Sequence, residues 1–348
     1  MVPNKKNIRW GIIGCGDVTE LKSGPAYQKT EGFELIAVMR RTPKMAQGYA
    51  ERHGVEKYYT DADALINDPD VDAVYIATPP DTHKFFGLKV VAAGKPCCIE
   101  KPLSTNYTDS LAIYSAFNAK KIPLFVAYYR RTLPRFLKIK YWIDNGKIGV
   151  VRHIQWQLCN NASEEDLSGK YNWRTDAKVA PGGYFDDLAS HGLDLFCYLF
   201  GEVAEAAGIS LNQQKLYTAK DAVTGYWLHD NGITGIGNWN FGSHQREDKV
   251  TIYGSLGTIQ FSVLDDQPIQ LKTEKGYETL NILNPENVQT NMVFMGLPDG
   301  AADGLRHYLS ERGILLGGGK KQIRLVTHLN VTRDDVDLLI EQISEYFA

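Results

Sequence analysis

The chain has 348 residues, 43% of them apolar and 23% charged, with a net charge of −3. That length exceeds what a single core usually supports, so the composition predicts a soluble globular protein of more than one domain. The nearly balanced charge gives no electrostatic case for nucleic acid or for an anionic membrane as a partner.

Residues 8–14 form an apolar run that follows a polar, basic start and ends in glycine, which reads as a buried parallel strand. The run is too short for a secretory signal core, and nothing in the chain approaches the roughly 20 apolar residues of a membrane span. Gly14-Cys15-Gly16 makes a tight turn after it, and Asp17 and Val18 open the next helix. Glycine there lets the backbone approach a pyrophosphate, with helix N–H groups as donors. The third glycine of the usual fingerprint is replaced by Thr19, so the turn alone also fits a plain strand–turn–helix. Further strand-like runs at 33–39, 71–78, 96–100 and 123–127 alternate with helical patterns such as 82–93 and 108–119, which implies a doubly wound parallel sheet.

The end of the second strand is where the adenosine ribose is read. An acid there suits the 2′-hydroxyl of NAD, and arginine suits the 2′-phosphate of NADP. The sequence offers Arg40 and Arg41 and no acid, either as a phosphate clamp or as two solvated arginines. Thr78, Pro79 and His83 follow the third strand, and Glu100-Lys101-Pro102 the fourth, at the strand ends where open α/β sheets place ligands. Lys101 is either a contact to the substrate hydroxyl and nicotinamide ribose or a surface lysine.

Residues 134–145 read as a helix stopped by Gly146. From Val150 strands dominate, at 151–158, 222–228, 234–240, 249–253, 258–263 and 269–273, with turn signals between them, which reads as an open antiparallel sheet. Tyr129, Arg130, Trp173 and Arg174 are candidate substrate contacts, because an aromatic ring beside a guanidinium can stack on and bond to a sugar; core packing is the alternative. Asp187 and His191 stand four apart in residues 182–194, so a helix there puts both on one face. A carboxylate beside an imidazole orients it and raises its basicity, which suits proton transfer near neutral pH. The pair lacks a third clustered ligand, so no metal is implied. The five cysteines, Cys15, Cys97, Cys98, Cys159 and Cys197, form no metal-knuckle spacing and read as reduced thiols of a cytoplasmic protein.

The order and spacing of Gly14-Cys15-Gly16, the 77–83 stretch, Glu100-Lys101-Pro102 and the 182–194 segment resemble the GFO/IDH/MocA oxidoreductases over about residues 7–290. The resemblance implies a Rossmann domain followed by a domain built on a large, mostly antiparallel sheet whose outer face is often a subunit interface, and hence a homo-oligomer. Lys101, Asp187 and His191 match the family's catalytic positions. Thr19 and Arg40 depart from its NAD-using pattern.

The last 60 or so residues do not fit that resemblance. Thr290-Asn291-Met292, the 313–316 run and residues 323–328 resemble the small C-terminal domain of PLP-dependent threonine aldolases. The pattern predicts a β-α-β-α module: strands at 293–296 and 323–327, and helices at 301–312 and 333–347, the latter capped by Thr332. Leu305 and Leu309 on one helix, and Val336, Leu339, Ile340 and Ile343 on the other, form apolar faces. Arg324 matches a carboxylate-holding arginine of the aldolases, but the PLP domain and its Schiff-base lysine are missing, so PLP is not expected.

These readings combine into an α/β protein. Residues 1–128 form a Rossmann domain, 129–286 an α+β substrate and oligomerisation domain, and 287–348 the tail. The expected activity is NADP(H)-preferring interconversion of a secondary hydroxyl and a ketone on a sugar, cyclitol or related polyol, with NAD as the other cofactor. The alternatives are an NADP(H)-binding sensor or scaffold without turnover, or an inactive fusion.

Overall fold

The computed structural model describes residues 7–283 apart from residue 22, and, in the tail, residues 292–296, 301–312, 317–318, 322–326, 338, 341–343 and 345–346. The chain divides into two units: Met1–Thr78, Thr82–Tyr129 and Glu286–Ala348 in the first, and Pro79–Asp81 with Arg130–Pro285 in the second.

The first unit holds a six-stranded parallel sheet. Its strands are β1 (Ile8–Ile13), β2 (Phe33–Met39), β3 (Lys57–Tyr59), β4 (Ala73–Ile76), β5 (Cys97–Ile99) and β6 (Leu124–Val126), in the order β3-β2-β1-β4-β5-β6. Alternate side chains of each strand enter opposite faces. Ile13, Val74 and Ile76 join Leu65, Val90, Ile113 and Phe117 in one core, and Trp10, Ile12, Ala73 and Tyr75 join Tyr27 and Tyr49 in the other. Strand order reverses between β1 and β4, and such a switch point leaves a crevice beyond the carboxyl ends of the strands. The expected strands at 71–78, 96–100 and 123–127 are shorter in the structure, and β3 is added at the edge.

A charge cluster ties β3 to the loop before β4. Asp68 accepts from the Tyr59 hydroxyl at 2.6 Å, from Lys57 Nζ at 3.0 Å and from the Asp70 amide at 2.8 Å. Burial pushes the Asp68 carboxyl up, but these donors together outweigh it and bring it down to about 2. A carboxylate whose native pKa lies below its unfolded value stabilises the fold above the unfolded pKa and stops doing so as pH falls through the native one. Unfolding followed from pH 5 downward is therefore expected to show a loss of stability between about pH 4 and about pH 2 that is smaller in Asp68→Asn. Identical acid profiles for the two proteins would refute this.

The second unit holds an eight-stranded sheet. Its strands are β7 (Val151–Cys159), β8 (Val203–Leu211), β9 (Ala222–His229), β10 (Thr234–Asn240), β11 (Glu247–Gly254), β12 (Gly257–Phe261), β13 (Ile269–Thr273) and β14 (Gly276–Leu280). The order is β14-β13-β12-β11-β7-β10-β9-β8, antiparallel throughout except between β7 and β10. Trp156, Trp227 and Trp239, from β7, β9 and β10, form an indole layer on the inner face. The helix Ser190–Phe200 lies on this layer. Phe196 sits edge-on to Trp156 at 5.6 Å and stacks on Trp227 at 5.7 Å. Gly192 makes the close approach possible, since a Cβ there would lie 2.4 Å from the Trp156 ring. Asp248 fixes Trp156 by accepting from its indole N–H at 2.9 Å.

In the tail, β15 (Met292–Gly296), β16 (Gly317–Gly318) and β17 (Gln322–Val326) form an antiparallel sheet in the order β15-β17-β16. The expected first helix runs over Ala301–Ser310, and Leu305 and Leu309 are fully buried. Tyr308 packs on Tyr346 at 5.3 Å and donates to Glu345 at 3.0 Å. Residues 338, 341–343, 345 and 346 are helical. The Thr332 cap and the side chains of Arg324, Val336, Leu339 and Ile340 lie outside the described residues. Among the described residues no helix is long and apolar enough to cross a membrane.

Candidate active site

A candidate nucleotide site is built at the switch point of the first sheet. Gly14 follows β1 with φ +93, and a Cβ on it would lie 2.6 Å from Thr78 Cγ2 and 3.0 Å from the Thr78 amide nitrogen. Only glycine combines that left-handed conformation with so close an approach. Gly14 and Thr78 thus meet where β1 and β4 end. The Met39 carbonyl, at the end of β2, accepts from the amides of Gly14 at 2.9 Å and Cys15 at 3.3 Å. Gly16 is different: a Cβ there would meet only the Gly14 carbonyl, at 4.0 Å. The turn is held rigidly on the protein side and is open over Gly16, which fits a dinucleotide pyrophosphate. Asp17 is exposed and Val18 half-buried at the start of the helix Asp17–Leu21. Thr19, at the missing third glycine, is fully buried and donates to the Gly16 carbonyl at 2.7 Å. The tight approach falls instead at Gly24, where a Cβ would lie 2.2 Å from the Thr19 carbonyl oxygen.

Arg40 does more than face solvent. Its Nη1 donates to the Cys15 carbonyl at 3.0 Å, so it braces the glycine turn, whereas Arg41 is exposed. Glu100 accepts from the Tyr75 hydroxyl and, at 3.2 Å, from the Lys101 amide. Burial first, and then the Glu100 carboxylate, hold the Tyr75 phenol well above its ordinary value. His83 corrects the sequence reading. It is fully buried, with Nε2 2.7 Å from the Thr78 carbonyl oxygen and Nδ1 3.0 Å from that of Pro102. Its ring is spent on backbone and offers no surface to a cofactor.

The candidate acid/base residues lie in the second unit. Residues 182–194 do not open as a plain α-helix: Phe185–Ala189 is a π-turn that runs into the helix Ser190–Phe200. Single π-turns within helices recur at functional sites. His191 stands at the start of that helix and is 7% exposed. Asp187 is gripped by Arg174, whose Nε donates to Asp187 Oδ2 at 2.8 Å while its guanidinium lies 4.4 Å from the Trp173 ring centre. The sequence reading gave Trp173 and Arg174 to the substrate; the structure brings Arg174 to Asp187. Asp186 accepts from the Gly182 amide at 2.8 Å. Burial raises its carboxyl pKa, with a smaller push from Asp187, against the opposing amide bond.

Arg130, also given to the substrate, donates to the Val263 carbonyl at 2.6 Å and anchors a loop. Tyr129 is half-buried and opens the 3-10 turn Tyr129–Thr132. The contact that sequence reasoning missed is that of Arg131. It forms a two-pronged ion pair with Asp194, with Nε 2.8 Å from Oδ2, and fastens the helix that carries His191. Asp194 lies seven residues after Asp187, two turns along one helical face, and that spacing was its only signal. Among the described residues no cluster of three or more His, Cys, Asp or Glu side chains could hold a metal.

Residues 8–128 match the model of an oxidoreductase family with an NAD-binding Rossmann fold, and residues 136–260 match that of the GFO/IDH/MocA C-terminal domain. The chain is 38% identical over 290 residues to oxidoreductase P35 of Formosa agariphila, covering 83% of this chain and 89% of that one. It is 27% identical over 275 residues to myo-inositol 2-dehydrogenase of Thermotoga maritima, covering 77% and 79%. A solved structure of levoglucosan dehydrogenase in complex with NADH and levoglucosan superposes with a TM-score of 0.70 at 24% identity, over 79% of this chain and 80% of that one, a likeness of fold.

Proposed function

This chain belongs to the GFO/IDH/MocA family of NAD(P)-dependent oxidoreductases, and we propose that it interconverts a secondary hydroxyl and a ketone on a sugar, cyclitol or related polyol. The observation that carries the reading is the buried His191, four residues after an Asp187 held by Arg174, in a chain whose glycine turn leaves open space over Gly16. Curated relatives named as inositol, levoglucosan and apiose dehydrogenases support the substrate class. A bound nicotinamide cofactor would supply the hydride acceptor or donor. His191 takes the hydroxyl proton in oxidation and returns it in reduction. Asp187, held by Arg174, steadies the charge that forms on the imidazole. Lys101 polarises the reacting oxygen and holds the nicotinamide side. Oxidation of a panel of polyols with NAD+ or NADP+, followed at the reduced-nicotinamide absorbance, tests the reading. Cofactor binding without turnover across the panel would favour a sensor instead.

NADP(H) is the preferred cofactor in this reading, because Arg40 and Arg41 stand where an acid would bind the ribose of NAD. A charge-assisted hydrogen bond contributes roughly 1.5–3 kcal/mol, or about ten- to over a hundredfold in affinity. Arg41 gives the cleaner test, since loss of Arg40 also frees the Cys15 carbonyl. Arg41→Ala is expected to weaken NADPH about tenfold in a fluorescence titration and to leave NADH unchanged, while Arg40→Ala weakens both. Equal affinities in the parent protein would refute the preference.

A homo-oligomer formed through the outer face of the large sheet completes the reading. Gln155, Gln157, Thr224, Tyr226, Ile236 and Asn238 line a shallow depression there without a charge among them. Tyr226 is 53% and Ile236 44% exposed. Uncharged faces of this kind can be apposed without like-charge repulsion. Ile236→Glu is expected to convert the oligomer to monomers in light scattering, and a monomeric parent protein would rule the interface out.

A further inference from the structure

We propose that His83 is a positioning residue for Lys101, acting through the loop that follows β5; the proposal rests on the role given to Lys101 above. His83 is the first residue of the helix His83–Ala92, and its side chain is fully buried. On one edge of the ring, Nε2 lies 2.7 Å from the Thr78 carbonyl oxygen, just beyond β4. On the other edge, Nδ1 lies 3.0 Å from the Pro102 carbonyl oxygen and 3.3 Å from that of Leu103. One rigid ring therefore spans the ends of two neighbouring strands. Thr78 is the residue that packs on Gly14, and Pro102 is joined directly to Lys101.

The chemistry of the contact is restrictive. Carbonyl oxygens only accept, so a ring nitrogen bonds one only by donating its N–H, which the neutral ring does from one edge at a time and the imidazolium from both. Residues 101–106 form no helix or strand, so side-chain clamps of this kind have to fix their path. Thr82, at the N-cap of the helix, adds a tie to the same strand end: its hydroxyl donates to Thr78 Oγ1 at 2.7 Å. Nothing in this arrangement lets His83 touch a ligand, because the ring is enclosed. Its influence runs through Pro102 and Leu103, the two residues that follow the lysine.

The test is a double-mutant cycle with a structural readout. His83→Ala, His83→Gln, Lys101→Ala and His83→Ala/Lys101→Ala are made in the full chain. NADPH affinity is measured by fluorescence, and amide hydrogen exchange is followed by mass spectrometry. His83→Ala is expected to speed exchange in residues 101–106 at least tenfold while β1 and β2 stay protected. His83→Gln, which keeps donors on its amide, is expected to restore most of that protection. Lys101→Ala is expected to weaken NADPH about tenfold, and the double variant to be no weaker than Lys101→Ala. Unchanged exchange in residues 101–106 of His83→Ala, or affinity losses that multiply in the double variant, would overturn the proposal and leave the role of Lys101 standing. Native NADPH affinity and turnover in Lys101→Ala would remove that role, and the proposal with it.

Discussion

His191→Ala is expected to lower turnover of a polyol substrate by about a hundredfold or more, the usual scale for losing a general acid/base. The helix Ser190–Phe200 is seated by contacts that the substitution leaves in place. Phe196 lies between Trp156 and Trp227, Gly192 lies against Trp156, and Arg131 grips Asp194. The change therefore removes a proton acceptor without unseating the element that carries it. NADPH affinity is expected to stay within about threefold of the parent, since His191 belongs to none of the segments that form the glycine turn. A His191→Ala enzyme that keeps near-native turnover would show that the proton moves through another group.

The parts of this molecule that sequence made legible are those written in hydrophobic period. The buried runs that became β1, β2 and β4 could be read directly, because strands covered on both faces are almost continuously apolar. The edge strands β3, β8 and β14 could not. β3 has three residues, and β8 is exposed along its whole length, so neither carries an inside–outside alternation. The four-residue spacing of Asp187 and His191 was legible, but the π-turn that carries Asp187 was not, since residues 185–189 differ in no local signal from an α-helical start. Polar partners were the least legible. Arg174 reaches Asp187 from the 3-10 turn Trp173–Thr175, thirteen residues earlier, and Arg130 and Arg131, adjacent in sequence, go to a loop carbonyl and a buried carboxylate respectively. Such pairings are fixed by tertiary placement, and residue type alone assigned Arg130 to a substrate and left Arg131 without a role. His83 shows the same limit from the other side. A histidine near a cofactor turn reads as a ligand contact until burial shows both edges of its ring engaged by backbone.

Gly14 and Gly16 stand two residues apart and should respond to alanine in different ways. At Gly14 the backbone has φ +93, and a Cβ would sit 2.6 Å from Thr78 Cγ2 and 3.0 Å from main-chain atoms of residues 77 and 78. A non-glycine residue held in such a conformation costs about 1–3 kcal/mol, and the overlap adds to it. Main-chain atoms cannot rotate away as a flexible side chain can, so the turn itself has to shift. Gly14→Ala is accordingly expected to lower the melting temperature by several degrees and to weaken NADPH by roughly tenfold to a hundredfold. Gly16 carries no such strain, and a Cβ on it would point into open space. Gly16→Ala should therefore melt with the parent protein, while its methyl group occupies the room the pyrophosphate needs and weakens NADPH at least tenfold. Loss of affinity without loss of stability at Gly16, and loss of both at Gly14, is the pattern that separates the ligand side of the turn from its protein side. Native NADPH affinity in Gly16→Ala would mean that this turn is not where the dinucleotide binds.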